Sequence, residues 1–181
     1  MSLSGNGPLV AVLQEALAQD NNKRNRVKMG DARRKAKAAI QNIHHFRDDS
    51  LKNSEAPVEN VVIFDEAQRA WDLSATRRFM ESKRQQSSWD QSEPEFLISV
   101  MDRHPKWCVI IALIGGGQEI NRGEAGLQGW VDALEKSFND WKIFYSAELR
   151  QPEYAGSIDN LSFLTHSSQA RSLKTYTYLH R

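Results

Sequence analysis

The chain has 181 residues, with 24 Lys and Arg against 23 Asp and Glu, so a formal net charge of +1 points to no class of partner. Hydrophobic residues make up 40% and aromatics 9%, enough for the core of one ordinary domain. A mean hydropathy of −0.61 and a longest apolar run confined to Trp107–Ile114 exclude a membrane-spanning helix, which needs about 20 apolar residues.

The start Met1-Ser2-Leu3-Ser4 has neither the basic nor the apolar region of a signal peptide, so the expectation is a cytoplasmic chain with no membrane partner. Pro8, after Gly5-Asn6-Gly7, suits a first helical turn, and Leu9, Val12, Leu13, Ala16 and Leu17 repeat at helical spacing to about Ala18. From Lys23 to Lys37 stand eight basic residues and one acid, Asp31, a local charge of +7. It reads either as a solvated face or as a surface that meets phosphates. Asp31 suits the cap of a second helix through Ala32–Ala39. Ile40–Phe46 continues the helical period yet also shows Ile-Gln-Asn-Ile alternation, so both readings stay open.

Val58–Phe64 reads as a strand. Ser74 then suits the cap of a third helix with Phe79 and Met80 inward, and Pro94 opens a fourth holding Phe96, Leu97, Val100 and Met101. Trp107–Ile114 is a second strand, and its lone cysteine, Cys108, reads as a small buried hydrophobe. A fifth helix runs from about Ala125 to Phe138 with Leu127, Trp130, Val131 and Leu134 inward, and Trp141–Tyr145 is a third strand candidate. Short apolar runs separated by helices predict an α/β fold, a parallel sheet with helices on both faces.

The most specific signal is Val61-Val62-Ile63-Phe64-Asp65-Glu66, four apolar residues followed by two adjacent carboxylates. A buried parallel strand delivers its last residues to the carboxyl edge of the sheet, where open α/β sheets bind ligands. There the first acid suits Mg²⁺ and the second suits orienting or deprotonating an attacking water. A solvated loop is the rival reading of an acid pair alone.

Extended to Phe64-Asp65-Glu66-Ala67-Gln68-Arg69-Ala70-Trp71, this segment resembles the Walker B motif of a bacterial family of P-loop ATPases related to superfamily 1 helicases and the Schlafen helicase-like domain. Ser4-Gly5-Asn6-Gly7-Pro8-Leu9-Val10 resembles motif Ia of that family, and Ile43-His44-His45-Phe46-Arg47 the motif that follows it. Ile114-Gly115-Gly116-Gly117-Gln118-Glu119-Ile120-Asn121-Arg122-Gly123-Glu124-Ala125-Gly126 resembles motif III. The resemblance covers about residues 4 to 155. It implies a partial, RecA-like P-loop NTPase domain at 1–155; the rest, 156–181, is rich in Ser, Thr and Tyr without a long periodic segment and reads as an irregular or partly ordered tail.

The resemblance makes Asp65 the Mg²⁺ carboxylate, Glu66 the general base, and Gln118 the group that senses the γ-phosphate. Gln68 would link the nucleotide site to the nucleic-acid groove. Gly5 and Asn6 would contact a nucleic-acid backbone, with His44 or His45 nearby. Read alone, the histidine pair is equally a surface or core imidazole without a ligand. The implied cofactors are Mg²⁺ and ATP, and the implied partner is DNA or RNA.

One departure qualifies all of this: no Gly-x-x-x-x-Gly-Lys-Ser/Thr occurs, and none of the ten glycines is followed by lysine. That loop supplies the amides and the lysine that hold the phosphates. The expectation is therefore an amino-terminally truncated piece that, alone, binds no nucleotide and does not hydrolyse ATP. Two rival functions stand beside it. A metal-dependent nuclease would gather Asp65, Glu66 and Asp102 around Mg²⁺. A non-catalytic nucleic-acid or protein interaction module would use Lys23–Lys37 and the tail. The resemblance also places the absent P-loop strand beside Trp107–Ile114, so that strand is expected to be an exposed edge. A second copy would cover it in a symmetric homodimer, or Trp141–Tyr145 would close against it.

Overall fold

The computed structural model describes residues 1–85, 88–115, 121–146 and 149, and the backbone of 176–180. The strands are β1 (Ser2–Ser4), β2 (Ile40–Asn42), β3 (Val61–Asp65), β4 (Val109–Leu113), β5 (Lys142–Phe144) and β6 (Tyr176–His180), in the spatial order β2-β1-β3-β4-β6-β5. Among the described residues, six α-helices accompany them: α1 (Gly7–Asn25), α2 (Met29–Ala39), α3 (Ile43–Lys52), α4 (Leu73–Arg84), α5 (Glu93–Asp102) and α6 (Gly126–Ser137). Strands β1 to β4 pair in parallel. The fold is the expected α/β class with a parallel sheet, in keeping with a RecA-like NTPase.

Burial alternates along the central strands. Leu3, Val62, Phe64 and Ile110 are fully buried on one face, while Ile63 and Ile111 are only partly covered on the other. The ring of Phe64 lies 5.3 Å from that of Trp130 on α6. The same core takes in Phe46 of α3 and Leu97, Val100 and Met101 of α5. Burying side chains of this size contributes about 1.5–3 kcal/mol each, so this face carries most of the sheet's cohesion.

Several element boundaries differ from the sequence reading for local chemical reasons. The Asn6 side chain accepts a hydrogen bond from Leu9 N (3.1 Å) and caps α1, which continues past Ala18 to Asn25. Leu9, Val12, Leu13 and Leu17 stay 39–65% exposed, because α1 meets α2 through Ala18, Ala32 and Ala36 instead. Asp31 does not cap α2; it sits in the first turn and pairs with Arg34. Asp72, just ahead of the expected Ser74, caps α4 by accepting from Ala75 N (2.7 Å). The ambiguous Ile40–Phe46 divides into strand and helix at Asn42, whose side chain accepts from His44 N (2.8 Å). Ser2–Ser4, too short to show a period, forms the strand between β2 and β3.

The expected exposed edge at Trp107–Ile114 is absent. Strand β6 pairs antiparallel with β4 across Val109–Leu113 and with β5 across Lys142–Phe144. Both sides of β4 are therefore hydrogen-bonded within one chain, and the unpaired amides that motivated a homodimer are satisfied. Closure comes from residues 176–180, not from direct contact of β5 with β4.

Candidate functional site

Three neighbouring strands end together. Ser4 is in register with Asn42 on one side and with Asp65 on the other, so the residues that follow each strand emerge at a single carboxyl edge. Gly5 and Asn6 after β1, His44 after β2, and Asp65 with Glu66 at the end of β3 line one cleft of about 250 Å³. Parallel sheets bind ligands at this edge.

Glu66 adopts a left-handed backbone, φ 52° and ψ 48°, uncommon for a residue with a side chain and typical of positions whose surroundings force it. Here the surroundings are a fully stitched turn. Trp130 Nε1 donates to Ala67 O (2.7 Å), Ala125 N donates to Ala70 O (2.6 Å), and Asp72 N donates to Gly123 O (2.9 Å). Gln68 is buried, and its Oε1 accepts from Gly115 N at the end of β4 (3.3 Å). Glu66 Oε2 meets Arg69 Nε at 3.0 Å. Among the described residues the Asp65 carboxylate makes no hydrogen bond or ion pair, which leaves it available to a ligand.

The floor of the cleft holds an ion pair, since Glu93 lines it. Arg47 Nη1 donates to Glu93 Oε1 at 3.0 Å, with both side chains almost wholly buried. Glu93 Oε2 accepts from Trp71 N (2.9 Å), while Glu93 N donates to Trp71 O (3.0 Å). The guanidinium also stacks 5.0 Å from the Trp71 ring and 4.3 Å from that of Phe79. Burial pushes the Glu93 carboxyl above the ordinary carboxylate range, against the opposing pull of the Trp71 amide and Arg47. His44 Nδ1 is 3.9 Å from Glu93 Oε1. Even so, burial first and the Arg47 charge second hold its imidazole below the usual value, because Arg47 already occupies the carboxylate.

A family model described as Schlafen group 3, DNA/RNA helicase domain, matches residues 1–179. The chain belongs to that family. No curated protein matches it, and no solved structure does.

Within this Schlafen helicase-like domain, the cleft collects Gly5, Asn6, His44, Asp65 and Glu66. His45 is exposed and does not line it. Gln68 stands behind the turn, bridging it to β4. Gln118 lies outside the described residues. The nuclease constellation does not form: Asp102 ends α5 ahead of β4 and accepts from Trp141 Nε1 (3.0 Å) just before β5, at the opposite edge from Asp65. No cluster of three metal-ligating side chains occurs among the described residues. Sequence reading missed Glu93, since an acid in a first helical turn is ordinary and nothing local announces that it is buried.

Proposed function

We propose that the chain is the Walker B and motif III portion of a helicase-like NTPase domain, which in an intact form couples Mg²⁺-dependent ATP hydrolysis to DNA or RNA. The observation that carries this reading is the register of β2, β1 and β3, which brings three motif-bearing strand ends to one cleft. Asp65 fits the role of Mg²⁺ carboxylate, since Mg²⁺ takes one or two protein carboxylates and fills its other positions with water and phosphate oxygens. Glu66 acts as the base only after releasing Arg69. Gln118 senses the γ-phosphate, Gln68 relays between β3 and β4, and Gly5, Asn6 and His44 face the nucleic acid, with His45 exposed outside the cleft.

Among the described residues no lysine lines the cleft, and the sequence has no phosphate-holding loop. The chain alone is therefore catalytically inactive and holds no nucleotide by itself. Purified protein should release no phosphate from Mg-ATP beyond the level of an Asp65→Ala variant. Turnover that depends on Mg²⁺ and disappears in Asp65→Ala would contradict the inactive assignment.

A further inference from the structure

The α1–α2 hairpin carries the strongest charge feature outside the cleft. Residues 23–37 hold a net +7 in a chain of net +1, so the remainder is net −6. All eight basic side chains are exposed. Arg24, Arg33 and Arg34 are matched to Asp20, Glu15 and Asp31. Lys23, Arg26, Lys28, Lys35 and Lys37 make no ion pair among the described residues. Soluble surfaces ordinarily intersperse both signs, whereas this hairpin carries five exposed cations without an ion-pair partner among the described residues.

We propose that this hairpin is a second phosphate-binding surface, which grips the backbone of a nucleic acid whose other part lies in the cleft. The inference takes its ligand class from the reading of the cleft given above. Geometry connects the two places: Asn6 lines the cleft and caps α1, and Arg26 ends the same helix. At 1.5 Å per residue, the 19 residues of α1 span about 28 Å, or about 8 base pairs of duplex at 3.4 Å each. A lipid surface is the rival polyanion: Val27 and Met29, beside the basic residues of the connection, are packed into the Ala18–Ala32–Ala36 contact, whereas Leu9, Val12, Leu13 and Leu17 of α1 are exposed, so vesicle binding is one outcome of the test.

The test measures anisotropy of labelled DNA hairpins with duplex stems of roughly 5 and roughly 20 base pairs across a salt series. The proteins are the wild-type chain, a variant with Lys23, Arg26, Lys28, Lys35 and Lys37 all changed to Gln, and a His44→Ala variant. The Gln variant should unfold at the wild-type temperature. On the long duplex it should bind about tenfold or more weakly, with a salt slope shallower by about 0.9 for each phosphate it no longer neutralises. On the short duplex, which cannot reach both places, its loss should be smaller. Unchanged affinity and slope on the long duplex would overturn the proposal, as would a loss confined to anionic phosphatidylserine vesicles. If only the His44→Ala variant loses binding, the cleft stands and the α1–α2 hairpin falls; if only the Gln variant does, the α1–α2 hairpin stands and the cleft falls. A wild-type chain that binds neither duplex at low salt removes both.

Discussion

At the scale of single residues, the cleft depends on a buried ion pair in its floor, Arg47 with Glu93. Glu93 satisfies Arg47 with one oxygen and the Trp71 amide with the other, so removing it strands a buried cation and frees the peptide that positions the Glu66 turn. Breaking a buried pair from one side costs about 3–5 kcal/mol, and Glu93→Ala should lose that much in urea unfolding. A loss below about 1 kcal/mol would show that the pair is not buried in solution. His44 supplies a pH signature. Its folded-state pKa lies below the ordinary 6.5, so as pH falls through 6.5 the unfolded chain binds the proton first and stability declines toward the depressed value. Glu93, shifted upward from 4.5, slopes the opposite way, and Asp48 and His45 add smaller contributions around the imidazole. Between pH 7 and about 5.5 the wild-type chain should therefore lose more thermal stability than His44→Gln. Equal losses would deny the depressed pKa.

At the scale of elements, the signals that could be read in sequence were those with a period or a cap. The apolar runs Val58–Phe64 and Trp107–Ile114 became β3 and β4, and Pro8, Pro94 and the Leu127–Leu134 repeat marked α1, α5 and α6, each within a few residues. What escaped depended on partners distant in the chain. Strand β1 owes its existence to β2 and β3 on its flanks, and the α1–α2 contact rests on alanines, which carry no amphipathic signature. Of the candidate site, Asp65 and Glu66 were legible because a strand points at them, whereas Arg47 and Glu93 meet only through tertiary packing. Gly129 offers a test of how tightly α6 holds the Glu66 turn. A Cβ there would stand 2.5 Å from that of Ala125, whose own amide bonds Ala70 in the turn. Ala normally favours a helix over Gly by about 1 kcal/mol. Gly129→Ala should nevertheless destabilise by about 1–3 kcal/mol as an overpacked substitution, and a stabilised variant in calorimetry would contradict that contact.

At the scale of the whole molecule, the sheet orders its chemistry by edge. The ends of β2, β1 and β3 carry the motif residues at one side of the sheet, while β6 fills the position between β4 and β5 on the other. That filling removes the physical demand for a second copy at β4, which the sequence alone could not anticipate because its last strand lies in a stretch without periodic signal. The assignment to the Schlafen helicase-like family gives the cleft its nucleic-acid reading, and backbone amide mapping tests that reading most directly. In an ¹⁵N-labelled sample titrated with a short single-stranded oligonucleotide, the account predicts shifts at Gly5, Asn6, His44, Asp65 and Glu66, with the amides of β5 unmoved. Shifts confined to β5 and the end of α5, with the ends of β1, β2 and β3 silent, would contradict it.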